Sequence, residues 1–225
     1  HQGKLAEYVQ GGHLGYIDDG IFVNRRVIWI KPDIYLINDE FYAQGGHTYR
    51  QYFHCSPDGK VDVEENRAVF SGKNTEAFFT FLTDGVKLEC GQGTYSTHYN
   101  QSGENPQICA ILEKEGFASM ITVINGGPKG EAQPACVRFL NVESHSLNRP
   151  LKEREAQAVH ISHGDRSYVV TICHDEIYHT SDAVIAGDFQ TGGGVNCYAT
   201  GSVCVFETTG RENGTRIYGG EVLLA

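Results

Sequence analysis

Residues 21–38, IFVNRRVIWIKPDIYLIN, decide the fold class of this 225-residue chain. The first part, residues 21–30, is mostly β-branched or aromatic, which is the composition of a β-strand. Pro32 and Asp33 interrupt this strand, and an apolar run resumes at once over residues 34–38. Two such runs separated by a short break predict a β-hairpin.

The same pattern continues to the end of the chain. Further apolar, β-branched runs cover residues 48–54, 77–82, 107–112, 119–124, 135–140, 158–162, 168–173, 183–189, 203–207 and 216–224. Turn-forming groups separate them: Ser56-Pro57-Asp58-Gly59, Asp84-Gly85, Asn125-Gly126-Gly127-Pro128, Gly164-Asp165, Gly192-Gly193-Gly194 and Asn213-Gly214. Only residues 151–158 could form a short helix. Many short strands with regular turns predict an all-β, antiparallel β-sandwich of stacked sheets with little or no helix.

The length fits one sandwich domain over residues 1–225. Glycine-rich or proline-containing segments near 125–130 and 148–150 are alternative boundaries, which we interpret as loops of one domain. The chain begins with His1 and carries neither a Met nor a signal-like apolar segment at its start, so we expect a processed product or a piece cut from a longer chain.

The charge excludes some partners. The formal net charge is -10, and no basic cluster is longer than Arg25-Arg26. Nucleic acid, or a polyanion held mainly by charge, needs a basic stripe that this sequence lacks. The sequence has no apolar stretch of about 18 residues, so no membrane span is predicted.

The cysteines and histidines do not form a recognisable metal or redox motif. The seven cysteines have no CxxC pair, which favours buried, reduced thiols over a disulfide framework. Among ten histidines, the closest pairs are His47/His54, His160/His163 and His174/His179. Each pair has an odd offset, so its members should lie on opposite faces of a strand. We therefore predict no metal site and assign no catalytic residue in this chain.

The acidic and nucleophilic residues likewise form no recognisable catalytic motif. There is no Gly-x-Ser-x-Gly, and Cys173-His174 are only sequence neighbours that would face opposite sides of a sheet. Asp18-Asp19 and Asp39-Glu40 lie where turns and strand ends are expected. Paired carboxylates act on a glycosidic bond only if they face each other across the sugar, which these patterns do not show.

Aromatic residues crowd the first quarter of the chain. They are Tyr8, Tyr16, Trp29, Tyr35, Tyr42, Tyr49, Tyr52 and Phe53. Aromatic faces can stack on sugar rings, and phenol hydroxyls supply hydrogen bonds, but the same residues serve equally as sheet core and cross-strand pairs. The sequence favours core packing for any one of them and leaves the substrate-binding residues unassigned.

A resemblance to a known family covers residues 8–57. The runs GHLGY (12–16), NRRVIWI (24–30), DIYLINDEF (33–41) and GHTYRQYFH (46–54) resemble, in their order and spacing, a stretch of heparinase II/III-like polysaccharide lyases. The rest of the chain agrees only as a succession of strands.

The resemblance implies a two-part enzyme. Its longer chains carry an α/α toroid first and a β-sandwich after it, and they cleave uronic-acid polysaccharides such as heparin-like glycans or alginate by β-elimination. Tyr and His residues, mostly from the helical part, carry out proton transfer. The family's His-x-His and His-Asn-Thr segments, which contribute to a metal site, do not occur here. We therefore expect no cofactor in this segment, and a divalent metal such as zinc, if present, upstream.

Three hypotheses follow from these observations. The first is the C-terminal sandwich of a heparinase II/III-like lyase, inactive alone, with an upstream toroid and an acidic polysaccharide as partners. The second is a non-catalytic carbohydrate-binding or adhesion module, and the third is a self-contained epimerase or hydrolase. Polysaccharide degradation suggests the periplasm, cell envelope or exterior, whereas free thiols suggest the cytoplasm.

Overall fold

The computed structural model describes residues 2–144, 147–174, 189–191, 198–199, 203–209 and 216–223. These residues form an all-β, antiparallel fold whose only helical element is one 3-10 turn at Ile17–Asp19. The first ten strands are β1 (Ala6–His13), β2 (Phe22–Ile30), β3 (Ile34–Tyr42), β4 (Gly46–His54), β5 (Lys60–Glu64), β6 (Arg67–Ser71), β7 (Thr75–Phe81), β8 (Lys87–Tyr95), β9 (Gly103–Glu115) and β10 (Ala118–Pro128). The remaining strands are β11 (Cys136–Leu140), β12 (Val142–Ser144), β13 (Arg149–Pro150), β14 (Ala156–His163), β15 (Arg166–Cys173), β16 (Phe189–Thr191), β17 (Tyr198–Ala199), β18 (Val203–Thr209) and β19 (Arg216–Leu223).

The strands form four sheets. Their orders are β1-β2-β3-β10-β7-β6-β5, β4-β9-β8, β11-β14-β15-β18-β19 and β13-β12-β16-β17. The predicted hairpin partners β2 and β3 are indeed neighbours. Backbone contacts divide the chain into two compact units, one with residues 1–11, 25–32 and 135–225 and one with residues 12–24 and 33–134. In the described part of the chain, no helix is long and apolar enough to cross a membrane.

The unit of residues 12–24 and 33–134 is a sandwich of two sheets. Its core joins side chains of β3, β6, β7 and β10 from the large sheet to those of β4 and β9 from the three-stranded sheet: Phe41, Tyr49, Cys55, Ala68, Phe79, Phe81, Ile108, Ala110, Leu112, Ala118 and Met120. Phe41 and Tyr49 stack at 4.3 Å between ring centres, which fixes β4 against β3. Alternation along β4 buries Tyr49 and Gln51 and exposes Arg50 and Tyr52.

A buried polar group lies within this sandwich. The Gln51 amide nitrogen on β4 donates to the Asp39 carboxylate on β3 at 2.9 Å, and Thr122 on β10 donates its hydroxyl to the Gln51 amide oxygen at 2.6 Å. All three side chains are buried. Because buried polar groups require partners, this arrangement specifies how the two sheets face each other.

The other unit contains the C-terminal sheets. Strands β14 and β15 pair from Ala156↔Cys173 to His163↔Arg166, and Gly164, at φ +62°, begins the predicted turn between them. Their shared core consists of Leu140, Val142, Ala156, Ala158, Val169, Cys173 and Cys204.

Three sequence interpretations are wrong. Asp39-Glu40 do not lie at a turn or a strand end but are buried within β3. Residues 125–128 are not a turn, because β10 continues through them and pairs Gly126 with Ala77 of β7. Residues 151–158 are not a helix: one turn at Lys152 to Glu155 leads directly into β14. The bidentate ion pair of Glu155 with Arg149 and its bond to the Lys152 amide fix that turn. The predicted strand at 183–189 and the turns at 192–194 and 213–214 lie outside the described residues, apart from Phe189, where β16 begins.

Candidate functional site

A cleft of about 460 Å³ opens beside β4, which is an edge strand of its sheet. Its lining comes from β4, from the start of β2, from β3 and from the loop before β2: Tyr16, Ile21, Val23, Phe41, His47, Thr48, Tyr49, Arg50 and Tyr52. Among these described lining residues there is one permanent cation, Arg50, and no carboxylate. The cleft therefore suits a ligand with apolar faces and a negative group.

The loop that carries Tyr16 is held locally. The His13 ring lies 5.5 Å from the Tyr16 ring, and Gly20, at φ +72°, ends the 3-10 turn. The backbone NH of Ile21 donates to the Tyr16 carbonyl at 3.0 Å. These bonds present Tyr16, which is 53% exposed, at the rim of the cleft.

Two tyrosines on β4 differ in chemical role. Tyr49 is buried, its hydroxyl donates to the Gly116 carbonyl at 3.2 Å, and burial raises its pKa. Tyr52 is 47% exposed, and its hydrogen bond with Cys109 raises its pKa. Both phenols are therefore neutral near pH 7. Tyr52 offers the cleft a ring face and a hydroxyl, whereas Tyr49 forms part of its floor.

The cleft has one permanent cation, Arg50, and one imidazole, His47. Arg50 is exposed and lies on the same outward face of β4 as Tyr52, whose register partner on β9 is Cys109. The His47 Nε2–H donates to the Gln44 carbonyl at 2.8 Å. An arginine can bind a carboxylate or sulfate through two parallel hydrogen bonds.

The His47/His54 pair lies as the strand parity predicts. His47 is on the inward side of β4 and His54 on its exposed side. His160 contacts Ser167 at 2.8 Å, while His163 contacts Arg166 at 3.2 Å. His174 is buried and bonded to Gln157 at 2.9 Å, and its predicted neighbour His179 lies outside the described residues.

No metal centre can be assigned in the described residues, because they contain no group of three His, Cys, Asp or Glu side chains able to hold an ion. The metal implied by the family resemblance thus has no fitting ligand set among the described residues. Of the six described cysteines, Cys55, Cys109, Cys173 and Cys204 are buried, whereas Cys90 and Cys136 are exposed. Burial raises the pKa of Cys55 to about 11, so this thiol stays protonated.

The aromatic residues of the first quarter divide between core and surface. Tyr8, Tyr42 and Tyr49 are buried, whereas Tyr16, Tyr35 and Tyr52 are exposed. Sequence reasoning did not single out Arg50 or the cleft itself. Arg50 alternates with Tyr49 and Gln51, so strand parity could have placed it outward, but only the fold brings it near Tyr16.

Comparison with known proteins identifies the class. The profile of the family described as Heparinase II/III-like, C-terminal matches residues 1–140, a span that includes every residue of the cleft. The match covers more than half of the chain. The chain therefore belongs to the heparinase II/III-like family and is a polysaccharide lyase-related domain.

Solved structures share this fold at low sequence identity. A mutant of the heparan sulfate lyase HepC from Pedobacter heparinus aligns with a TM-score of 0.63 at 14% identity, over 78% of this chain and 27% of that one. A structure of heparinase III aligns with a TM-score of 0.60 at 15% identity, over 76% of this chain and 26% of that one. The chain thus spans about a quarter of these proteins. No curated protein matches it.

Proposed function

We propose that this chain is the C-terminal sandwich of a lyase that cleaves uronic-acid polysaccharides, such as heparin-like glycans or alginate, by β-elimination. The supporting observation is that the family match over residues 1–140 contains the whole cleft beside β4. In this proposal the sandwich supplies one wall of the substrate site, and a helical domain upstream in the parent chain supplies the other. Any divalent metal is held by that upstream part, and the parent enzyme works in the periplasm, at the cell envelope or outside the cell.

The cleft residues suit binding better than proton transfer. β-Elimination needs a base beside the uronate carboxylate, neutralisation of that carboxylate and an acid at the leaving oxygen. Arg50 can neutralise a carboxylate, while Tyr16 and Tyr52 can stack on sugar rings. Tyr49 is tied to the Gly116 carbonyl, and His47 to the Gln44 carbonyl. We therefore propose that the chain binds substrate but has no activity alone.

Incubation with heparin-like polymers and alginate tests the activity. The isolated chain should produce no ultraviolet absorbance of an unsaturated uronate, whereas the parent protein with its upstream part should produce it. Turnover by the isolated chain would contradict its inactivity, and a parent protein without lyase activity would contradict the function.

Binding by the cleft can be tested separately. Arg50→Gln should weaken binding of a uronate oligosaccharide by about tenfold, the effect of losing one charge-assisted bond. Lys73→Gln is a matched control, because Lys73 is exposed and lies outside the cleft lining. Equal affinities of the two variants would exclude Arg50 from the site.

The second candidate is a non-catalytic carbohydrate-binding or adhesion module. It is favoured by the three exposed tyrosines of the first quarter of the chain, Tyr16, Tyr35 and Tyr52. Glycan binding by the isolated chain, together with a parent protein that lacks lyase activity, would favour this function over the first.

A further inference from the structure

The outer face of the three-stranded sheet has an uncharged region that begins two residues along β4 from the cleft residue Tyr52. Strand register places His54, Gln107 and Gly91 in one row across β4, β9 and β8. The next two rows hold Asn105 with Gly93 and then Gly103 with Tyr95. We call these three rows the ring face. None of its residues is acidic or basic apart from His54, and none lines the cleft.

Two rings of the ring face lie low over glycines. A Cβ atom built on Gly93 would be 2.7 Å from Nδ1 and 2.9 Å from Cε1 of His54, and 2.9 Å from Oδ1 of Asn105. A Cβ atom built on Gly103 would be 2.7 Å from Cε1 and 3.0 Å from Cζ of Tyr95. A side chain standing upright on the sheet would not approach so closely. The two glycines therefore allow both rings to cover the backbone.

The rings of His54 and Tyr95 lie in nearby rows of the sheet, and a neighbouring side chain holds the His54 ring in place. The rows of Gly93 and Tyr95 are two residues apart along β8, which corresponds to about 7 Å. The Gln107 amide contacts His54 Nε2 at 3.0 Å and holds that ring in place. His54 is exposed, whereas Tyr95 and Gln107 are half-buried. Rings held in this way lose little conformational freedom when a ligand binds.

Polar groups accompany the rings. Gln107 has an amide that can both donate and accept, as sugar hydroxyls require. Asn105 is 3% exposed; its amide nitrogen donates to the Cys55 carbonyl at 2.8 Å, while its Oδ1 atom has no hydrogen-bond partner among the described residues. A buried acceptor without a partner indicates a place where an ordered water or a ligand hydroxyl completes the hydrogen bonding.

From these observations we propose that the ring face is a second glycan-binding site, which takes uncharged sugar residues by stacking on His54 and Tyr95. The absence of Lys and Arg from its three rows separates it from the cleft, whose cation is Arg50. The site does not depend on lyase activity. It would hold a polysaccharide chain next to the sandwich while the cleft binds acidic residues.

Glycine substitutions provide a matched test. Gly103→Ala places a methyl group against the Tyr95 ring, and Gly93→Ala places one against both the His54 ring and Asn105 Oδ1. Gly91→Ala is the control, because a Cβ atom there meets nothing within 4 Å and the residue lies on the same strand. His54→Ala and Tyr95→Ala remove the rings without changing the backbone, which keeps the test decisive if an alanine at a glycine position prevents folding.

The probes are soluble neutral β-glucan, neutral hexasaccharides of glucose, xylose and mannose, and alginate, with affinities measured by calorimetry. We expect neutral probes to bind the native chain and the Gly91→Ala variant equally, and each of the other four variants about fivefold to tenfold more weakly, as loss of one stacked ring predicts. Arg50→Gln should leave this binding unchanged.

Two results would overturn the proposal: no binding of any neutral probe, or binding that the four variants leave intact. Alginate binding that is lost in Arg50→Gln but kept in His54→Ala reports on the cleft alone. Failure of the ring face and failure of the proposed lyase function are thus distinguishable.

Discussion

At the residue scale, the burial of His160 makes the stability of the folded chain depend on pH. Its Nε2 atom lies 2.8 Å from Ser167 Oγ. Burial, and after it the charge of Arg138, lower the pKa of His160 from its ordinary 6.5. The folded state therefore binds this proton less readily than the unfolded chain. The contribution of His160 to the free energy of unfolding is therefore fully present above about pH 6.5. It is lost as the pH falls through the pKa that His160 has in the folded state.

We expect His160→Gln to make the free energy of unfolding depend less on pH below neutrality. The free energy of unfolding of the native chain should fall more steeply between about pH 7 and pH 5 than that of the variant, as measured by urea denaturation. His98→Gln serves as the control, because His98 is exposed. Parallel curves for the native chain and His160→Gln would contradict the role of His160.

Gln51 is the residue on which the polar group of the sandwich depends. Its amide both donates to Asp39 and accepts from Thr122, so Gln51→Leu removes one hydrogen bond from each of these buried partners. We expect a loss of about 1–3 kcal/mol in the free energy of unfolding. Thr48→Val, an exposed change on the same strand, should alter it by less than about 0.5 kcal/mol. Similar midpoints of urea unfolding for the two variants would show that the hydrogen bonds of Gln51 do not stabilise the sandwich.

At the element scale, strand composition predicted most of the strands, and local turn chemistry explains one error. Asn125-Gly126-Gly127-Pro128 has the residues of a turn. In the fold, Gly126 allows the β7 backbone to come close: a Cβ atom there would be 2.5 Å from the Glu76 carbonyl oxygen. Glycine thus has two uses, turns and close approach of chains, and sequence alone does not distinguish them.

The same contact predicts different effects of two neighbouring substitutions. Gly126→Ala should separate β10 from β7 and destabilise the chain by more than about 2 kcal/mol, since neither backbone can yield easily. Gly127→Ala meets only Ala132 Cβ at 3.4 Å, so it should be neutral or slightly stabilising. Thermal unfolding of both variants measures the difference. Equal unfolding temperatures would show that the β7–β10 contact is not close enough to exclude a methyl group.

At the scale of the whole molecule, fold class follows from the sequence but the sites do not. Alternation along β4 is visible as Tyr49, Arg50, Gln51 and Tyr52 in succession. Which of these residues lines the cleft together with Tyr16 depends on pairing between distant segments, and pairing is not encoded in local composition. Likewise, Gly93 and His54 are 39 positions apart, and only the register of β8, β9 and β4 brings them together. Sequence reasoning could name the aromatic residues but not their arrangement.

The charge of the whole chain predicts how its cleft responds to salt. A formal net charge of -10 repels a polyanion, so binding of an acidic oligosaccharide must depend on local cations. Among the cleft residues, Arg50 is the permanent cation. By counterion release, one such contact gives a slope of about -1 for log affinity against log salt, so a tenfold rise in salt weakens binding about tenfold. Calorimetry with a uronate hexasaccharide over a salt series measures this slope, which should fall towards zero in Arg50→Gln. A slope of about -4 or steeper would require several further cations and would place the acidic ligand on a different surface.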